Sequence, residues 1–183
     1  MVAAGLAAGL AVVYFVLPRW LTTPEAPATD AVSAPAAADA RHAQATLYYV
    51  SEDGSLLEGA SREVAFGASP TEQARKILEA QLAPPPEGFV SPIPAGVTVR
   101  GIFFTPRGDV YVDLSREIIT LHPGGSLNEA LTVYAIVNAL TANVHEITAV
   151  QILVDGRQID TLGGHLDLRQ PLTGQPRWVK KGP

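Results

Sequence analysis

Apolar and polar residues are distributed so that the chain has an apolar start, a polar linker and a long periodic region. Residues 2–17 contain no charged residue, and the apolar stretch is long enough to span a bilayer if it continues to residue 21. We therefore predict a single transmembrane anchor over residues 1–21. A cleaved signal peptide is the alternative, because Ala26-Pro27-Ala28 offers a cleavage site of the small-residue type.

The linker, residues 22–45, is rich in Ala, Pro, Thr, Ser and Asp and has almost no large apolar side chain. Because this composition cannot bury enough surface to offset the entropy of ordering, we predict a disordered tether. From residue 46 to about residue 175, the chain becomes apolar and periodic over a length typical of one domain. Residues 176–183 include two adjacent lysines and are predicted to form a flexible basic tail.

Two stretches of the periodic region have the spacing of amphipathic helices. Ser69 and Glu72 form a capping box around Pro70, and apolar residues then recur at helical spacing as far as residue 82. Ser126 and Glu129 form a second capping box, which predicts a helix reaching about residue 142. We expect this second helix to be the main cover of the core.

Alternating apolar and polar positions, bounded by turn residues, predict the strands. The clearest pair is joined through Pro106-Arg107-Gly108 and should form a hairpin, and Asp155-Gly156 should form a tight turn after the last long strand. The order of elements predicts an α+β fold in which two helices cover one face of a small, mostly antiparallel sheet. The predicted strands are residues 47–50, 62–66, 97–105, 108–114, 150–154 and 157–159.

Several short motifs follow one another along this region in a characteristic order. They are Leu47-Tyr48-Tyr49-Val50, a helix ended by Pro84-Pro85-Pro86, Ser91-Pro92-Ile93-Pro94-Ala95-Gly96-Val97, Val110-Tyr111-Val112-Asp113-Leu114-Ser115, Ile152-Leu153-Val154-Asp155-Gly156 and Leu162-Gly163-Gly164-His165-Leu166-Asp167. Together they make residues 46–172 resemble the GerMN domain of the sporulation and spore germination family. The resemblance implies an extracytoplasmic module, similar to ring-building motifs, that serves envelope assemblies by protein interaction or oligomerisation and has no established catalytic residues.

The composition limits how such a module is attached and what it binds. The chain has no cysteine, which excludes disulfides, thiolate catalysis and attachment through a lipoprotein cysteine. This absence departs from the family's namesake type, as does the presence of one GerMN-like domain instead of a tandem pair. The net charge is −5 and no long run of Lys or Arg occurs, so we expect no nucleic-acid partner.

The charges around the anchor and the family resemblance disagree about orientation. Arg19 is the only basic residue near either end of the apolar segment, and the positive-inside rule would place the folded domain in the cytoplasm. The resemblance implies the opposite side. We give the resemblance more weight and predict a single-pass cell membrane protein whose domain lies outside the cytoplasm, in the periplasm or at the outer face.

Four aromatic residues are candidates for an interaction surface. Phe103, Phe104 and Tyr111 lie on the predicted hairpin, and Tyr48 is expected to join them on the face that the helices leave uncovered. We expect the partners to be envelope proteins or a second copy of the chain, with the membrane contacted through the N-terminal helix. Peptidoglycan is a further candidate partner.

A metal site is the first alternative for the polar residues. His122, His145 and His165 are potential ligands together with Asp113 or Asp167. Their spacing matches no metal-binding motif, and isolated loop histidines are usually solvated. We therefore predict no metal and no cofactor.

Catalysis is the second alternative. Asp109 and Asp113 would lie about 13 Å apart on one strand, which is wide for a glycosidase pair, and we expect Asp113 to cap the turn that begins at residue 114. Neither Ser115 nor Ser126 lies in a nucleophile elbow, although the loop before Ser126 has free amides that suit an anion.

We therefore predict a protein that is not an enzyme. A cell-wall ligand binder or weak wall-modifying enzyme that uses Asp113, His122 and Asp167 is the competing hypothesis.

Overall fold

The computed structural model describes residues 42–181, all within one compact unit that spans Ala40–Pro183. The predicted anchor and residues 22–41 of the predicted tether lie outside the described residues. Within the described part of the chain, no helix is both long enough and apolar enough to cross a membrane. The elements in chain order are β1 (His42–Val50), β2 (Leu57–Ala65), α1 (Pro70–Leu82), β3 (Val99–Phe104), β4 (Asp109–Leu114), α2 (Glu117–Thr120), α3 (Ser126–Asn143), β5 (Ala149–Val154), β6 (Arg157–Gln158) and a 3-10 helix (Pro176–Trp178).

The presence of helices together with mostly antiparallel strands confirms the α+β class. The strands form two sheets, however, and the expectation of a single sheet is wrong. Strands β1 and β2 pair as an antiparallel hairpin, and the other four strands are ordered β3-β4-β5-β6. Only the central pair β4–β5 is parallel among the described strands. The β5–β6 hairpin turns at Asp155 and Gly156, whose φ angles of 51° and 75° have the signs that a type I′ turn requires.

The outer edge of β1 is paired by two side-chain amides and, at Val50, by a backbone carbonyl of the loop after α1 (2.9 Å), and not by a strand of the other sheet. Gln81 on α1 accepts a bond from the Tyr48 N–H (2.8 Å) and donates one to the Tyr48 carbonyl (2.7 Å). Asn143 at the end of α3 does the same for Thr46, at 2.8 and 2.7 Å. Each amide therefore takes the place of a neighbouring peptide group, and the strand edge is satisfied.

Helix α1 begins and ends where the sequence predicts. The Ser69 hydroxyl accepts a bond from the Glu72 N–H (3.2 Å), and the Glu72 carboxylate accepts one from the Ala68 N–H (2.8 Å). The second bond of this capping box thus goes to the residue before the N-cap. The buried stripe includes Ala74, Ile77 and Leu78, which pack into the core.

Helix α3 is a core helix and not a surface cover. Every residue from 129 to 140 is buried, as expected for a helix enclosed on all sides. The helix starts at Ser126, with Gly125 as an N-cap that makes no side-chain capping bond. The predicted second capping box is therefore wrong, because Glu129 is directed to other partners.

Both predicted boundaries of the folded domain move outward. Strand β1 begins at His42, so residues 42–45 belong to the hairpin and not to the tether. At the other end, Trp178 stacks on Tyr134 with ring centroids 5.7 Å apart, and the Lys180 N–H donates to the Leu57 carbonyl (2.7 Å). Residues 176–181 are thus docked and not a flexible tail, because the indole buries apolar surface and the edge of β2 supplies a backbone acceptor.

The amide pairing of β1 predicts a stability effect. Replacing Gln81 by Leu keeps the approximate volume but leaves the buried Tyr48 N–H and C=O without partners, so we expect the free energy of unfolding to fall by about 2–4 kcal/mol. Urea unfolding followed by circular dichroism measures this change. The exposed Gln170→Leu is the matched control and should cost less than about 0.5 kcal/mol; equal losses in the two variants would contradict the assignment.

Candidate interaction surface

Phe103 and Tyr111 lie directly opposite each other in the antiparallel pair β3–β4. Phe103 is 60% exposed, and Tyr111 is half-buried. Because side chains alternate along a strand, both project from the sheet face opposite to Ile102 and Val112, which are buried in the core. We call Phe103 and Tyr111, together with Gly101 beside them, the aromatic face.

Gly101 shapes this face by allowing the Phe103 ring to lie flat against the strand. A Cβ atom at Gly101 would come within 2.7 Å of a Phe103 ring carbon, closer than two carbons can approach. The ring therefore covers the glycine two residues earlier on the same strand. The ring and the glycine together therefore form this part of the face.

The structure does not bring the other two predicted aromatic residues to this face. Phe104 follows Phe103 and therefore points to the opposite side, where it packs against the core. Tyr48 lies in the other sheet, on β1, and is 9% exposed. Burial also raises the pKa of the Tyr48 hydroxyl above its ordinary value. The predicted four-residue surface is thus reduced to the Phe103–Tyr111 pair.

The chain itself covers another part of the same sheet face. Gln151 on β5 is the neighbour of Tyr111 across the parallel pair, and it is buried. Its amide donates to the Leu168 carbonyl at 2.6 Å. The segment after β6 therefore packs over β5 and stops short of the Phe103–Tyr111 pair, which remains accessible.

Asp113, on the same face as Tyr111, ties the strand ends together. Its carboxylate accepts bonds from the Gly156 N–H (2.7 Å) and from Arg100 Nε (3.2 Å). Arg100 also reaches Asp155 at 3.4 Å. The expectation that Asp113 caps the turn starting at residue 114 is wrong, because the residue preceding α2, Arg116, makes no side-chain capping bond and both oxygens of Asp113 serve the neighbouring strands.

A second polar cluster surrounds Glu129, a residue whose role the sequence patterns did not indicate. Its side chain is fully buried. One carboxylate oxygen accepts a bond from the Leu162 N–H (2.9 Å), and the other accepts bonds from the His165 N–H (2.9 Å) and His165 Nδ1 (3.1 Å). Gly163 passes so close that a Cβ there would lie 3.3 Å from the carboxylate. The Leu162-Gly163-Gly164-His165 motif is therefore a loop wrapped around a carboxylate.

The pKa of Glu129 reflects this environment. Burial by itself would raise the pKa, but the backbone amides of Gly163, His165, Leu166 and Leu162 outweigh burial and hold it below its ordinary value. The charged form is thus the form that the fold stabilises. The cluster is built to hold a loop, since every bond to the carboxylate comes from that loop.

His122 lies near this cluster but has structural partners of its own. Its Nδ1 accepts a bond from the Gly124 N–H (3.0 Å), so the proton of the neutral ring is on Nε2, which contacts the Thr132 hydroxyl (3.1 Å). That hydroxyl donates to the Pro92 carbonyl at 2.6 Å. This chain of bonds fixes the loop before α3 to the proline-rich loop after α1.

The remaining candidate metal ligands and catalytic residues lie far apart or are bound to structural partners. Within residues 42–181, no three His, Asp or Glu side chains are grouped so that they could hold a metal ion. Asp167 pairs with Arg169, whose guanidinium bonds lower the pKa of Asp167 to about 2. His145 is 95% exposed beside Glu146. The Ser115 hydroxyl accepts a bond from the Thr98 N–H, which is a structural role.

Comparison with known families gives a match over more than half of the chain. The family model Germane, described as sporulation and spore germination, matches residues 46–160. The GerMN resemblance read from the motifs is thereby confirmed. No curated protein matches the chain.

Solved structures with the same fold agree with this match. A Clostridium perfringens protein described as a candidate lipoprotein is 20% identical, with 72% of this chain and 87% of its own chain covered and a TM-score of 0.52. The tandem GerMN domains of the sporulation protein GerM from Bacillus subtilis are 17% identical, with 73% of this chain and 46% of theirs covered and a TM-score of 0.57. The first GerMN domain of that protein is 18% identical, with 72% and 97% covered and a TM-score of 0.52. The chain thus spans about half the length of the tandem protein and most of a single domain.

The buried carboxylate predicts a pH-dependent stability. Replacing Glu129 by Gln turns an acceptor oxygen into a donor facing N–H groups, and we expect a loss of about 2–3 kcal/mol at pH 7. Because the folded-state pKa is depressed, the contribution is fully present above the unfolded-state pKa of about 4.3 and is lost as the pH falls through the folded value. The stability difference between wild type and Glu129→Gln should therefore shrink below about pH 4.3.

Urea unfolding at several pH values between 3 and 7 measures this difference. Glu52→Gln, in the exposed turn after β1, is the control and should behave like wild type throughout. A difference that stays constant with pH would show that the carboxylate charge does not stabilise the loop.

Proposed function

The chain belongs to the Germane family of sporulation and spore germination, and we propose that it is a non-enzymatic interaction module of a cell-envelope assembly. In this proposal the aromatic face, Phe103 and Tyr111 with Gly101, contacts a protein partner. The partner is an envelope protein or a second copy of the chain.

The observation that carries the proposal is the exposure of Phe103, whose ring lies against Gly101 on the sheet face turned away from the core. Aromatic residues are enriched in the cores of protein interfaces, where they bury a large area at a small cost in conformational entropy. Phe103 has 60% of its surface in solvent, although the chain covers the neighbouring β5 part of the same sheet face. A partner bound to Phe103 and Tyr111 would lie next to the segment that covers β5. The sheet face would then be covered continuously from β5 to β3.

The proposal also includes attachment to the membrane. Residues 2–21 supply the anchor, since the chain has no cysteine for lipidation. The domain then stands outside the cytoplasm, connected through residues 22–41. The description of the structurally similar Clostridium perfringens protein as a candidate lipoprotein supports this part of the proposal, although a lipid would be a different means of attachment.

Site-specific crosslinking in cells tests the aromatic face. With a benzoylphenylalanine at position 103, we expect an adduct of discrete mass, because the side chain would lie inside the interface. Phe66 is the matched control, since it is the same residue type with the same 60% exposure but follows β2 in the other sheet. An epitope-tagged second copy distinguishes self-association from binding of another protein.

The adduct at position 103 should disappear when Tyr111 is replaced by Ser, because this change removes the aromatic ring opposite Phe103. Tyr111 is half-buried and does not face the core, so the core packing should be unchanged. Equal labelling at positions 66 and 103, or no adduct at either, would remove the support for this surface.

Fractionation tests the anchor separately. The full chain should remain in the membrane pellet after alkaline extraction, and a chain starting at residue 22 should be released, because the lost segment is the proposed hydrophobic attachment. Mass spectrometry of the purified protein provides the control for processing. A mature N-terminus after residue 28 would instead demonstrate a cleaved signal peptide.

A further inference from the structure

A groove lies at the carboxyl ends of the parallel strands β4 and β5, apart from the residues of the aromatic face. It has a volume of about 490 Å³ and runs between α2 and the β5–β6 hairpin. Val154, Ile119 and Ile159 provide apolar wall, and two arginines, Arg116 and Arg157, line the same space. Loops that meet at the carboxyl ends of parallel strands are a common location for ligand sites in open sheets.

The arginines of this groove are incompletely neutralised. Asp155 is the acidic residue in the lining, and its carboxylate is shared between Arg100 at 3.4 Å and Arg116 at 3.8 Å. The contact with Arg116 is longer than a hydrogen bond, and the Arg116 side chain is 71% exposed. Arg157 is exposed and forms no ion pair within the described residues. The groove therefore presents guanidinium donors that have free bonding capacity.

The charge pattern selects among anionic ligands. Guanidinium groups bind carboxylates and phosphates through paired hydrogen bonds. The lining carries the positive charges of Arg116 and Arg157 and the negative charge of Asp155, a net charge of +1, which the single negative charge of a carboxylate balances. The apolar wall further suits an aliphatic stem, and the Thr120 side chain adds a hydrogen-bonding group beside it.

We propose that this groove binds the carboxylate of a glutamate side chain in an extended apolar segment of a partner protein. Arg116 and Arg157 hold the two carboxylate oxygens, while Val154, Ile119 and Ile159 contact the methylene groups and the flanking apolar residue. The groove contains none of the residues of the aromatic face. An experiment that contradicts one of the two proposed surfaces therefore leaves the other untouched.

Fluorescence anisotropy with the detergent-solubilised full chain tests the site. The probe is a fluorescein-labelled peptide, Ala-Leu-Glu-Leu-Ala with blocked termini, and two relatives carry Gln or phosphoserine in place of Glu. We expect the Glu peptide to bind more tightly than both, with an affinity that falls as salt is raised. Equal binding of the Gln peptide, tighter binding of the phosphoserine peptide, or no binding at all would overturn the proposal.

Variants locate the binding on the protein. The substitutions Arg157→Gln and Arg116→Gln should each lower the affinity for the Glu peptide about tenfold, since each removes a charged hydrogen-bond donor. Arg107→Gln, in the exposed turn of the β3–β4 hairpin, is the matched control and should leave the affinity unchanged. The comparison of the three peptides uses the wild-type protein, so its outcome does not depend on how well a variant folds. Equal weakening by Arg107→Gln, or stronger competition by purified peptidoglycan than by unlabelled Glu peptide, would overturn the assignment to a protein partner.

Discussion

The arrangement of this domain depends on the polar side chains along helix α3, two of which, Glu129 and Asn138, are buried in the core. A buried polar group must find a hydrogen-bond partner, because an unpaired one costs more than the bond is worth. Glu129 at the start of α3 binds the loop at residues 162–166. Asn138 in its middle pairs with the Gln175 backbone, and Asn143 at its end pairs with β1. One helix thus fixes three distant segments of chain.

This organisation explains which surfaces stay open. The C-terminal segment is fixed by Asn138 and by stacking of Trp178 on Tyr134, and on its way it covers Gln151 and the β5 part of the sheet. It does not extend over β3 and β4, where Phe103 remains exposed. The edge of β1 is closed by amide side chains, so it is less available for strand addition than an unpaired edge. The surface that stays accessible on this sheet is therefore the part formed by β3 and β4.

Local patterns were sufficient where a segment's neighbours in sequence were also its partners in space. Pro70–Leu82 was predicted to the residue because Ser69 and Glu72 cap the same helix that they precede or begin. The Asp155-Gly156 turn was predicted because left-handed backbone angles favour this pair. The Ser126 and Glu129 pattern has the same spacing as the first capping box, yet Glu129 bonds to residues 33 and 36 positions away. Spacing alone does not distinguish a capping carboxylate from a buried one.

Periodicity, turn chemistry and motif order are sufficient to predict the α+β class, most of the secondary structure, the family and an aromatic hairpin. The division of the strands into two sheets and the role of Asp113 in joining strand ends are visible only in the folded chain. It alone also placed Phe103 and Tyr111, without Tyr48 or Phe104, on the accessible face. The physical reason is that burial and hydrogen-bond partners are set by contacts between residues far apart in the chain, and no local pattern records which of them meet.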